Sequence, residues 1–252
     1  VCFTIYVASA YVAGASVFTA IFPSLSSHAA MIIFALAMLL ITFFGGFKAV
    51  CWTDFFQGIL MFAALMTVPI VIAITKDMDP AALSVVYSYK DAVSGEMVEC
   101  SFGTGLFDAS WQDIISGLAW GLGYFGMPHI LVRFMSIEKP SMVKKSATVA
   151  IIWVICALGC ACLIAYFGRM FLAEELLTAG AQKMVFIDFA RKLFPSFIAG
   201  ILMAAIIAAS MSTADSQLLV ASSSFTSDIY KPIIRKDADE KEILWVGRII
   251  VV

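Results

Sequence analysis

Four residues of the run from Ala208 to Ser216 have the types and the spacing to hold a monovalent cation. Ala209, Ser212, Thr213 and Ser216 stand at i, i+3, i+4 and i+7, so on a helix they share one face. Hydroxyl oxygens and a main-chain carbonyl suit a hard cation such as Na+ without the field strength that holds a divalent ion tightly. The run closes an uncharged apolar segment, where polar groups are costly unless something binds them. Ser and Thr in membrane helices also bond back to the i−4 carbonyl or across to a neighbouring helix, and for one isolated Ser that is account enough. Four such positions beside Asp215, preceded by the small residues Ala204, Ala205 and Ala208, favour a site. Asp215 itself reads either as part of it or as a solvated residue near the membrane edge.

A second candidate is Trp120-Gly-Leu-Gly-Tyr124-Phe-Gly-Met-Pro128-His129. Irregular backbone at membrane depth is tolerated only where it is buried in protein or lines a cavity, and transporters build midplane substrate sites from interrupted helices. Trp120 and Tyr124, four apart, can offer a small ligand an aromatic wall with a phenolic handle. Close helix packing explains the same residues equally well. His129 reads as a packed or hydrogen-bonded residue. Asp54 reads first as a helix cap, with ion release as the weaker alternative. There is no G-x-S-x-G elbow, phosphate loop, paired-Cys metal pattern or H-E-x-x-H, so no enzyme is expected.

The elements that must position these residues are membrane helices. Hydrophobic residues make up 62% of the 252 and charged ones 13%, where soluble domains have roughly 45–50% and about 25%. A formal net charge of −2 gives no reason to expect a nucleic-acid partner. Cys156, Cys160 and Cys162 lie inside one apolar run and read as small buried residues rather than a disulfide framework. The pattern predicts helices over 2–22, 29–47, 55–75 with Thr53 or Asp54 as N-cap and Pro69 as a kink, 114–132 broken at its glycines, and 146–168. A long helix from 193 to about 230 and a seventh from 243, cut short at Val252, complete the set. Residues 76–112 read as an acidic aqueous loop with room for a short surface helix, and 173–192 as an amphipathic segment external to the core. Lys48, the Lys139 to Lys145 group, and Lys231, Arg235, Lys236 and Lys241 fall on one side under strict alternation, which assigns that side to the cytoplasm. Both ends of the chain lie in apolar runs, and an internal fragment of one transmembrane domain is expected.

Three stretches resemble the sodium:solute symporter family, and within it the bacterial proline branch. They are Gly45-Gly46-Phe47 through Trp52-Thr53-Asp54, Trp120 through Pro128-His129 to Arg133-Phe134, and Ala208 through Ser212-Thr213 to Leu219 with Ser227 to Lys231. The resemblance covers essentially the whole chain and implies an all-α membrane protein with a partial five-plus-five inverted-repeat (LeuT-like) fold. The helices here would be the third to ninth core helices. It implies Na+-coupled uptake of proline across the cell membrane, with Na+ as coupling ion and no other cofactor. By the same resemblance Ser212 and Thr213 match hydroxyl sodium ligands and Ala209 a carbonyl ligand. Asp54 matches an acidic residue of the sodium pathway, and Tyr6, Trp120 and Tyr124 match positions of the solute site. The first core helix, which would complete both sites, would lie upstream, so half a site is expected and no transport by this segment alone. Met127 stands where many proline symporters carry Gln, which leaves room for another small solute. A transporter-like input module of a membrane sensor is the alternative of a different class.

Overall fold

The structure is a computed structural model that describes residues 2–77, 81, 86–90, 95–100, 110–124, 126–172, 175 and 181–251. The described elements are α1 (Cys2–Ile21), α2 (Ser27–Thr75), a hairpin of β1 (Tyr87–Lys90) and β2 (Met97–Cys100), α3 (Trp111–Tyr124), α4 (Pro128–Met135) and α5 (Pro140–Phe171). After a 3-10 turn (Ala181–Met184) come α6 (Val185–Leu193), α7 (Ser196–Phe225), wide helical turns (Thr226–Ile234) and α8 (Glu240–Val251). Among the described residues, four helices are long and apolar enough to cross a membrane, five if the bent pair α3 and α4 is taken as one span. The chain is a multi-pass membrane protein. Large apolar side chains such as Phe44, Ile74 and Phe197 are more than 70% exposed, which suits a hydrocarbon surround and would be costly in water.

The chain divides into two compact units, Val1–Met61 with Met203–Val252, and Phe62–Leu202. In the first unit α1 packs on the early part of α2, with Tyr11 and Phe18 edge-on to Phe34 at ring-centroid distances of 6.1 Å. Gly14 makes this possible: a Cβ there would stand 2.6 Å from the Phe34 ring. Phe34 and Met38 also bury Ala214 of α7. Small residues at such crossings let membrane helices approach closely, and packing rather than water exclusion holds them together.

The expected 29–47 and 55–75 helices are one continuous element interrupted only at Gly46, which has φ 58° and ψ −161°. No polar connection separates them, because glycine tolerates a backbone region closed to other residues and turns the chain within one position. Thr53 and Asp54 therefore lie inside a helix rather than at a cap. The Thr53 hydroxyl donates back to the carbonyls of Ala49 (3.1 Å) and Val50 (2.9 Å). Pro69 sits within the helix without non-helical φ/ψ. Gly46→Ala meets no side-chain obstacle but must hold a φ/ψ region that is essentially glycine's own, so a loss of about 1–3 kcal/mol is expected. A lowered Tm in detergent would report it; an unchanged Tm would mean that the break is not held in the folded state.

In the second unit the later part of α2 meets α5, with Phe62 and Trp153 ring centroids 6.3 Å apart. The segment expected to be an acidic loop, with room for a short surface helix, carries the antiparallel β1–β2 hairpin, Tyr87 opposite Cys100. Asp79, Asp91 and Asp108, with about half of the 76–112 segment, lie outside the described residues. The helix expected at 114 begins at Trp111, since Ser110 accepts the Asp113 N–H (3.2 Å) and donates to its carboxylate (2.6 Å), a reciprocal cap. The expected break is present: α3 and α4 are bent by 42°. α5 starts six positions earlier than expected, with Pro140 in its first turn, where a missing N–H costs nothing. The segment expected outside the core forms α6, which is amphipathic but buries Ile187, Phe189 and Ala190 and packs on α5. Phe194, ahead of Pro195, is extended, and that delays the next helix from 193 to Ser196.

Candidate functional site

α7 carries the polar run, and its continuation departs from regular helix where Pro232 has no N–H to give. The Arg235 N–H reaches the Tyr230 carbonyl, five residues back, at 2.9 Å. α8 starts at Glu240 rather than 243 because the Asp239 carboxylate accepts the Glu242 N–H at 2.7 Å. α8 is tied back to α7 by the Ser222 hydroxyl, which donates to the Gly247 carbonyl at 2.6 Å. At the start of α8 the Glu242 carboxylate accepts the Tyr230 hydroxyl (2.5 Å) and pairs with Arg235 (2.9 Å).

The expected hydroxyl face is helical and shares one turn of α7. The Ala209 carbonyl accepts the Ser212 hydroxyl at 3.2 Å and the Thr213 hydroxyl at 3.3 Å, so three oxygens gather on one turn. Ser212 is half-buried and Thr213 exposed, leaving these oxygens open on one side. These are the back-bonds that Ser and Thr of membrane helices commonly make. Ser216 extends the face, donating to the Ser212 carbonyl (2.9 Å) and to Asp54 Oδ2 (3.4 Å).

Asp215 is not a solvated residue at a membrane edge. It is fully buried, and its Oδ1 accepts the hydroxyl of Thr42, itself buried, at 2.9 Å. Neighbouring residues of α7 thus reach α2 on either side of Gly46: Asp215 finds Thr42 before the break, and Ser216 finds Asp54 after it. Thr42 is the site-side residue that sequence reasoning missed. Its one signal is being a hydroxyl in the otherwise apolar stretch from Ala29 to Phe44.

The residues expected to hold a solute fall in different units. Tyr6 lies on α1 in the first and is 39% exposed. Trp120 and Tyr124 lie on α3 in the second, with ring centroids 6.4 Å apart, and no residue of α3 is buried. Both rings are exposed, so packing within their own unit does not account for them. His129, in the first turn of α4, is half-buried with Nδ1 shielded from solvent and without a hydrogen-bond partner among the described residues.

A sequence profile described as the sodium:solute symporter family matches residues 1–252. The chain belongs to that family. It is 41% identical over 99% of its length to a sodium/proline symporter of Escherichia coli and covers 48% of that protein. A sodium/proline symporter of Haemophilus influenzae is 42% identical over 98% of the chain, which covers 49% of it. A high-affinity proline transporter of Bacillus subtilis, PutP, is 39% identical over 99% of the chain, which covers 50% of it. The chain therefore spans about half the length of the curated relatives it matches, and its family membership rests on that half.

Proposed function

We propose that the whole protein is a secondary transporter of the cell membrane that couples inward movement of Na+ to uptake of proline. The observation that carries this reading is the family match along all 252 residues, with relatives named sodium/proline symporters. Na+ would be held by the hydroxyls of Ser212 and Thr213 and the carbonyl of Ala209. The 3.2 and 3.3 Å bonds that now link those groups support this, because they place the oxygens together on an open face. Asp54, linked to the Ser212 carbonyl by the two hydrogen bonds of the Ser216 hydroxyl, would lie on the sodium pathway. Tyr6, Trp120 and Tyr124 would line the solute site, and no cofactor beyond the coupling ion is invoked.

Binding of Na+ would favour the conformation that binds proline, and the two would be released inward by alternating access. Such coupling needs differential affinity for two states, which a cation bound between α7 and another core helix would supply. The fold would be the five-plus-five inverted repeat. Counting α2 as two helices divided at Gly46, α3 and α4 as one broken span, and α8 as the start of another gives the seven expected spans. The basic connections would face the cytoplasm.

The test is uptake by the complete protein in proteoliposomes. An inward Na+ gradient should drive accumulation of labelled proline, and an equal K+ gradient should not; accumulation without Na+ would contradict the reading. Excess unlabelled proline should abolish the signal. A stronger effect from another small zwitterion would move the solute assignment.

A further inference from the structure

From the geometry around Asp215 we infer that Thr42 and Asp215 form a positioning pair, which fixes the rotation of α7 and so presents Ser212 and Thr213 to the cation. The inference rests on the sodium site proposed above.

Phe34, Met38 and Thr42 stand at i, i+4 and i+8 and form one stripe of α2. The first two pack on Ala214, and the third donates its hydroxyl to the next residue, Asp215. The α7 residue that meets these two side chains is Ala214, also buried. Methyl groups allow close approach but resist rotation only weakly, whereas a hydrogen bond in apolar surroundings is directional, and breaking it strands a buried carboxylate. At 3.6 residues per turn Asp215 lies about 60° round the helix from Ser212, close enough to set its direction and far enough to stay off the cation face. Ser216, bonded to Asp54 on the far side of the Gly46 break, gives α7 a second anchor.

The test uses the complete protein in proteoliposomes, reading the Na+ concentration for half-maximal proline uptake, the maximal rate and the Tm. Thr42→Val keeps the shape and removes the donor. It should raise the Na+ requirement roughly 3- to 20-fold, the range that matches measured membrane hydrogen bonds, and leave the maximal rate largely intact. Thr42→Ser should restore the parent value. Asp215→Asn keeps an acceptor oxygen and should stay near the parent, whereas Asp215→Ala should behave like Thr42→Val. A parent-like Na+ requirement in Thr42→Val overturns the inference. So does an Asp215→Asn protein as impaired as Asp215→Ala, which would make the charge and not the bond the active feature. Should Asp215→Ala fail to fold, the Thr42 pair of variants decides alone. Ser212→Ala measured in parallel separates the two readings: if it leaves the Na+ requirement unchanged, the sodium site itself fails. If it raises the requirement while Thr42→Val does not, only the positioning role falls.

Discussion

Ser212→Ala and Thr213→Ala are each expected to raise the Na+ concentration needed for proline uptake by an order of magnitude or more, with the double variant showing no Na+ activation in the usual range. Each removes one of the two hydroxyls that share the Ala209 carbonyl, and so one oxygen from a cluster of three. A small cation held by neutral oxygens has no charge to compensate for a lost ligand, so the loss falls on affinity; hydrogen bonds to charged groups, the nearest measured analogue, are worth about 1.5–3 kcal/mol, or roughly 10- to 150-fold. The helix itself should survive, because alanine is the strongest helix former and the two hydroxyls bond within their own turn. Thr213→Ser, which keeps the oxygen, should be far milder than Thr213→Ala. Na+ activation curves for uptake check all of these, and curves that superimpose on the parent would remove the site from α7.

The second large effect is expected from Trp120→Ala. Its ring is 68% exposed and, with Tyr124 at 6.4 Å, forms an apolar surface on a helix with no buried residue. Removing a side chain already exposed costs little fold stability, so a drop in solute affinity with an unchanged Tm distinguishes binding from packing. Truncated aromatic anchors in binding sites cost about 2–4 kcal/mol, which corresponds to a 30-fold or larger rise in the solute concentration for half-maximal uptake. Trp120→Phe should recover part of it. A normal solute affinity in Trp120→Ala would return the pair to an ordinary role as membrane-facing surface.

Much of this was legible in the sequence for identifiable reasons. The i, i+3, i+4, i+7 spacing of Ala209, Ser212, Thr213 and Ser216 fixes a shared face wherever the segment is helical, and the glycines with Pro128 mark the bend between α3 and α4. Helix starts were less legible where a local rule competed with hydropathy. Ser110 and Pro140 begin helices in polar stretches that hydropathy assigns to loops, and Pro195 delays one in an apolar stretch that hydropathy assigns to helix. Gly46 shows the same limit, since the polar residues from Lys48 to Asp54 suggest a connection while a single left-handed glycine makes one unnecessary. Thr42 was out of reach for a different reason. Its partner is 173 residues away, and no periodicity within one helix reveals what a second helix will place against it.

If α7 holds an ion whose binding favours the solute-binding state, as proposed, linkage makes the coupling measurable at equilibrium. If Na+ raises the affinity for proline, proline must raise the affinity for Na+ by the same factor, typically about 5- to 150-fold. Calorimetric titration of the complete, detergent-purified protein with proline, in NaCl and in choline chloride, reads that factor directly. The account predicts binding that is tighter in NaCl by such a factor in the parent, and equal in the two salts at the same concentrations in the Ser212→Ala, Thr213→Ala double variant. Proline affinity that is the same in both salts for the parent, or a Na+ effect that survives intact in the double variant, would contradict it.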